Sequence, residues 1–218
     1  ARPAYGWLSE ESEDDPARLT AEKIFMVDPI DGTIAFVKGR PHFSICAGLV
    51  RAGGPYAGVV YNPVSEEFYS ARLGGGARLN GAPIRVSLRQ TIEGCAMLGA
   101  KTMFYNPAWS KPPFTPWPEM KIENRNSIAY RLALVASGQW DAMVALAAKR
   151  DWDLAAAEII CREAGGIVSS HTGAPLLYNS PGASHPSVVA AGPDLHAQLL
   201  EFLKPVTLPG QDRFDGRT

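Results

Sequence analysis

Residues 24–33 read IFMVDPIDGT, an apolar run that ends on two aspartates three positions apart. Ile24, Phe25, Met26 and Val27 suit a short buried strand. The Asp28-Pro29 step is expected to stop it, because proline brings no amide to a ladder and fixes its own φ. Asp28 is then delivered at a strand end, and Asp31 follows where a tight turn can bring both carboxylates to one point. Gly32 permits a close backbone approach, and the amides of Gly32 and Thr33 are placed to face an anion. Oxygen donors with no His or Cys nearby favour a hard cation, and magnesium suits phosphate chemistry best. Asp, Pro and Gly are also ordinary turn formers, so the stretch alone leaves a plain turn open.

Two further segments add carboxylates. Leu8-Ser9-Glu10-Glu11 lies upstream, and Trp152-Asp153-Leu154-Ala155-Ala156 puts Asp153 at the start of an apolar helix, where it also suits an N-cap. Two carboxylates three residues apart have no evident packing role in a turn. Asp31→Asn is therefore expected to remove activity and leave the fold intact.

Working outward, residues 11–22 read as a surface loop or short exposed helix. Residues 43–50 and 58–61 are apolar runs separated by RAGGP, which predicts a hairpin. Residues 67–71 suit another strand, and Asn80-Gly81 suits a turn between two short ones. Residues 101–123, rich in proline and aromatics, read as an irregular surface excursion. Ile128, Leu132, Val135 and Ala136 fall on one face of a helix that Gly138 ends. A strand at 140–146, a helix at 153–164, a strand at 187–191, a helix at 193–203 and a loose tail at 205–218 complete the reading. Strands and helices in no strict βαβ rhythm predict an α/β layered sandwich of helices with mixed or antiparallel sheets. The expected organisation is one unit over residues 1–204, with sub-domains of about 1–100 and 101–204.

Of 218 residues, 46% are hydrophobic and 20% charged, and 21 basic against 22 acidic side chains leave a net charge of −1. That balance gives no electrostatic case for a nucleic-acid polymer or an anionic membrane as partner. No apolar run approaches the roughly 20 residues that span a bilayer, and the first residues lack a signal-peptide pattern, so a cytoplasmic location is expected. Cys46, Cys95 and Cys161 are odd in number and lack CxxC spacing, which suits reduced buried thiols rather than disulfides or a zinc site.

LSEES, DPIDGT and WDLAA, in that order, resemble the three metal-binding motifs of the inositol monophosphatase superfamily. FVKGRPHFSICAGLV, GVVYNP and REAGG resemble the segments that accompany them, and the resemblance runs from Trp7 to about Ala191. It implies magnesium-dependent hydrolysis of a small phosphate monoester by metal-activated water, with inhibition by lithium. By motif, Glu10, Asp28, the Ile30 carbonyl, Asp31 and Asp153 would ligate two or three magnesium ions. Thr33 would orient the attacking water, and the Gly32 and Thr33 amides would hold the phosphoryl oxygens. Glu10, Asp28, Asp31 and Thr33 are thus the residues implied to carry catalysis. The sequence departs from the family pattern twice. The helical pair ahead of LSEE is absent, and Ala157 stands where the family has glycine, a change a helix tolerates.

Substrate choice rests on finer likeness. Inositol phosphatases carry a glutamate in the strand before the WD motif to bind inositol hydroxyls; here that stretch holds Ala145 and Leu146. Asp151, Arg131 and AFVKGR resemble the 3'(2'),5'-bisphosphate nucleotidase branch, while RPHFSI resembles the inositol enzymes. A nucleotidase is the leading expectation, with inositol 1-phosphate, histidinol phosphate or a sugar phosphate as alternatives. Lys101, Arg125, Arg131 and Lys149 are the candidate cations for a second phosphate. A homodimer is compatible with this reading. A regulatory binding module with little catalysis is the alternative from a different class.

Overall fold

The computed structural model describes residues 5–208. Seven strands follow one another across the first sheet in chain order: β1 (Gly6–Ser9), β2 (Lys23–Asp31), β3 (Ser44–Arg51), β4 (Gly54–Asn62), β5 (Glu67–Arg72), β6 (Ala77–Leu79) and β7 (Ala82–Pro83). β1 pairs with β2 in parallel and every later neighbour is antiparallel, so the expected hairpins are present. Asn80 and Gly81 both take positive φ, 49° and 84°, the backbone of a tight hairpin turn. Contrary to expectation, β2 does not stop at Asp28. It runs through Pro29 to Asp31 because the register against β3 slips between the two aspartates, a bulge that absorbs the missing proline donor. After it, Gly32 (φ 92°) opens the short helix α1 (Thr33–Val37).

The second sheet is mixed, in the order β12 (Ile167–Ser169), β14 (Val188–Ala191), β10 (Ala142–Ala145), β8 (Ala96–Leu98) and β9 (Lys121–Glu123). A two-stranded ribbon joins β11 (Lys149–Arg150) to β13 (Ser184–His185). Helices α3 (Ile128–Ala136) and α4 (Asp151–Glu163) pack between the two sheets, and α5 (Pro193–Leu203) covers the far face of the second. Successive residues of β10 show the layering: Met143 and Ala145 join the core of α3 and α4, whereas Ala142 and Val144 join Leu195, Leu199 and Leu203 of α5. A strand covered on both faces has no polar alternation, which is why residues 142–145 read AMVA. The same sandwiching buries all nine residues of α3, not one face of it. This is the expected α/β layered sandwich.

α4 lies almost backbone to backbone on the first sheet. A Cβ at Gly48 would sit 2.9 Å from the Ala156 amide nitrogen, and one at Gly58 would collide with the Ala156 carbonyl. Ala157, the departure from the family pattern, is fully buried in this helix.

One other expectation fails for reasons of packing. Residues 101–123 are not a surface excursion: they form the short helix α2 (Lys101–Phe104), a 3₁₀ turn at Pro107–Ser110 and β9. Phe104 and Trp109 are buried there, and Trp109 meets Phe114, Trp117 and Phe202 edge-on or tilted. Proline-broken aromatics show no period in sequence yet bury large area. Residues 11–22 are the expected exposed stretch with a short helix, a 3₁₀ turn at Pro16–Thr20, within which Arg18 alone is buried, bonding Asp14 and Asn179. Of the expected tail, Val206 packs on the α5 core, and residues 209–218 lie outside the described residues. Cys46, Cys95 and Cys161 are free and buried. No helix among the described residues is long and apolar enough to cross a membrane.

Candidate metal centre

Two chain segments converge at the end of β2. Asp28 is 2% and Asp31 6% exposed, Asp153 lies in the first turn of α4, and one oxygen of each falls within 4.8 Å of the others. The bulge in β2 places the first two. Asp28 Oδ1 accepts the Ile30 amide at 2.9 Å, which folds the Pro29-Ile30 turn back over its own carboxylate. Asp153 is not the N-cap of α4. Arg150 holds that position, and Asp153, two residues inside the helix, accepts the Arg150 amide at 3.0 Å.

Asp31 carries a second duty that the sequence did not show. Its Oδ2 accepts Ser127 Oγ at 2.5 Å and the Ala129 amide at 2.7 Å, so it also caps α3. Ser127 in turn accepts the Tyr130 amide at 2.9 Å. The expectation that Asp31→Asn spares the fold is therefore corrected, since the carboxylate ties α3 to the first sheet. The link from Ser127 to Asp31 spans 96 residues of chain and has no local signal in the sequence.

Like charges gathered away from water resist ionisation. Burial, then the charge of Asp31, raises Asp28 to about 7. Burial raises Asp153, again with Asp31 as the main charged neighbour, and raises Asp31 against the opposing bonds from Ser127 and Ala129. Burial and the same carboxylates push the Cys46 thiol up. Three oxygen ligands that repel one another fit a hard divalent cation, which would relieve that repulsion. Glu10 is not drawn into the trio. It is exposed one residue beyond β1, near enough that its charge helps raise Asp28 and Asp153.

A pH dependence follows. In the metal-free folded chain Asp28 keeps its proton to about pH 7, against 3.8 ordinarily. The folded state then binds more protons than the unfolded one, so this stability is full below about pH 4 and lost as pH rises through the folded value. In EDTA the melting temperature is expected to fall by several degrees between about pH 5.5 and about pH 8, and saturating magnesium should restore it. A melting curve in EDTA that ignores this pH range would contradict the arrangement.

The remaining candidates separate. The Thr33 hydroxyl donates to the Ile30 carbonyl at 3.2 Å, and Gly32 is held against Ser127 and His42, where a Cβ would clash. Arg125 is engaged by Glu123 at 2.7 Å and by His42 Nε2 at 2.6 Å. Burial and the Arg125 charge lower the His42 pKa, which keeps that nitrogen an acceptor. Lys101 is exposed on α2 and lines none of the cavities beside the trio. Arg131 and Lys149 do come together, lining one cavity of about 500 Å³ with Ala145 and Leu146. Both feel the charge of Asp31. Arg131 is 8% exposed and anchored by the Arg125 carbonyl and by Asn124 Oδ1 at 2.7 Å. Asp151, fully buried, accepts the Asn179 amide at 2.7 Å, and His185 Nε2 lies 3.0 Å away, off a good hydrogen-bonding line. It braces the start of α4 rather than facing the cavity.

An inositol-1-monophosphatase of Rhizobium meliloti (strain 1021) is 37% identical over 174 residues, 76% of this chain and 63% of that protein. The chain thus spans less than two thirds of that relative's length. The extragenic suppressor protein suhB from Bartonella henselae superposes with a TM-score of 0.76 at 30% identity, covering 93% of this chain and 81% of that one. The 2'AMP-bound SaIMPase-II gives 0.76 at 26% identity, covering 93% and 77%. Residues 1–206 match the family described as inositol monophosphatase, and with the aspartates of its shared motifs gathered at one point, the chain belongs to that family.

Proposed function

We propose that the chain hydrolyses a small phosphate monoester with magnesium held by Asp28, Asp31 and Asp153. The observation that carries this is the convergence of three carboxylates, two from β2 and one from α4, within 4.8 Å in a member of this family. When bound, magnesium supplies the positive charge that polarises a phosphoryl group and acidifies water. The chain's own residues do the rest. Asp28 and Asp31 present their oxygens from a bulge that the Ile30 amide locks. Glu10 and the Ile30 carbonyl complete the ligand set, Glu10 by moving inward from its exposed position. Thr33, tied to the Ile30 carbonyl, orients the attacking water. The Gly32 and Thr33 amides hold phosphoryl oxygens at the opening of α1, a fixed-dipole role suited to spread negative charge. A small phosphorylated metabolite is the partner this chemistry requires.

Kinship favours inositol 1-phosphate as the ester, since the relatives named above are an inositol-1-monophosphatase, a suhB protein and an IMPase, rather than members of the nucleotidase branch the sequence suggests. One observation keeps the nucleotide reading as second choice. Arg131 and Lys149 face a cavity whose Ala145 and Leu146 offer a polyol no acceptor, and cations there suit a second phosphate. The bound 2'AMP of SaIMPase-II is consistent with this. A regulatory role draws on the suppressor name of the suhB relative.

Phosphate release from inositol 1-phosphate, adenosine 3',5'-bisphosphate and glycerol 2-phosphate separates these readings. At least one ester is expected to release phosphate with magnesium, to stop in EDTA and to resume on re-addition. No release from any ester at saturating magnesium would leave the regulatory reading standing.

A further inference from the structure

The cavity lined by Arg131 and Lys149 does not end at Leu146. A second cavity, of about 170 Å³, shares Met103, Asn106 and Leu146 with it. The two cavities adjoin across that shared wall. The inner compartment lies toward the aspartate trio, since its Arg131 and Lys149 feel the Asp31 charge, and among its lining residues Thr102 and Asn106 supply the uncharged polar groups. The outer compartment is walled by Trp109 and Phe114, with Ala108 and Val206.

The two aromatic rings meet edge to face, with centroids 5.3 Å apart and planes at 74°. Trp109 is locked in place, since its indole N–H donates to the Met103 carbonyl at 2.7 Å and its ring packs on Trp117 and Phe202. Its hydrogen-bonding group is spent inside the protein, so what it offers the slot is ring surface. Asn106 is partly spent too, its Oδ1 accepting the Ala108 amide at 2.9 Å. A polyol in this cleft would lay most of its hydroxyls against Leu146, Met103 and aromatic carbon, which hydrogen-bond nothing. A planar ring would fill the same slot by stacking and edge contacts.

We propose that the Trp109–Phe114 slot is a specificity subsite for the leaving alcohol, and that this alcohol carries an aromatic ring. The subsite rests on the phosphatase reading with its second-choice ester, the nucleotide, because it takes the end of the substrate remote from the phosphate. Phe114 and Trp109 are specificity residues here; neither touches the reacting atoms.

The test compares two secondary phosphates that differ in the ring, adenosine 2'-phosphate and glycerol 2-phosphate, on wild type and on Phe114→Ala. Phe114 is only half-buried. The variant is expected to lose about tenfold more kcat/KM on the adenosine ester than on the glycerol ester, the size of one aromatic stacking contact. Calorimetric binding of adenosine alone to wild type and variant is read in parallel and needs no catalysis. It is expected to be measurable in wild type and weakened about tenfold in the variant. Should neither these esters nor inositol 1-phosphate release phosphate while adenosine binds and F114A weakens it, the phosphatase reading falls and the slot stands as a ring-binding site. Equal losses on the two esters, no adenosine binding, or adenosine binding that F114A leaves unchanged would each overturn the subsite.

Discussion

Asp28→Asn is expected to lower kcat/KM for phosphate release on the order of a thousandfold at any magnesium concentration, while the metal-free protein melts no lower than wild type. Asp28 is a cleaner probe than Asp31. Its side chain accepts the nearby Ile30 amide at 2.9 Å, a bond an asparagine oxygen can still accept. Asp31 also holds Ser127 and the start of α3, so its replacement mixes a metal effect with a folding effect. Removing one of three mutually repelling buried carboxylates should also raise the melting temperature in EDTA near pH 8, where wild type carries the repulsion. Loss of activity together with a gain in metal-free stability is a pair of outcomes that a purely structural role for Asp28 does not produce. Activity within a few-fold of wild type would remove Asp28 from the metal centre.

Gly58→Ala is expected to destabilise the protein by about 1–3 kcal/mol, a shift of several degrees in melting temperature at this chain length. The added methyl would meet the backbone of Ala156, where no side-chain rotamer can relieve the contact. α4 must then lift from β4, and Asp153 rides on the first turn of α4. The magnesium concentration giving half-maximal activity should rise with the loss of stability. A variant with wild-type melting temperature and wild-type magnesium dependence would show that this contact does not set the position of Asp153. Gly39→Ala is a useful comparison: Gly39 has positive φ but open space around it, so its effect is local backbone strain alone.

These two positions mark what could be read from the chain and what could not. The hairpins were legible because local turns such as Asn80-Gly81 fix the meander. The aspartates were legible as motifs, since Asp28 ends an apolar run, Asp31 follows in its turn and Asp153 starts an apolar helix. The cause of their convergence was not: Gly48 and Gly58 read as ordinary strand glycines until α4 is seen against them. Residues 101–123 misled for a related reason. Helical and strand periods are local signals, whereas Phe104 and Trp109 are buried by α5 and its neighbours from the far end of the chain. The four candidate cations were equivalent in sequence, and only tertiary contact separates Arg131 and Lys149, which share a cavity, from Arg125, which is taken by Glu123 and His42.

The central claim is that the aspartate trio is the metal centre, and a crystal soaked in manganese and measured at the manganese absorption edge tests it most directly. Manganese replaces magnesium at oxygen sites and is visible by anomalous scattering. The account predicts a strong anomalous peak within ligand distance of carboxylate oxygens from Asp28, Asp31 and Asp153 together, and its loss in Asp28→Asn. Saturating manganese with no peak at that trio would contradict it.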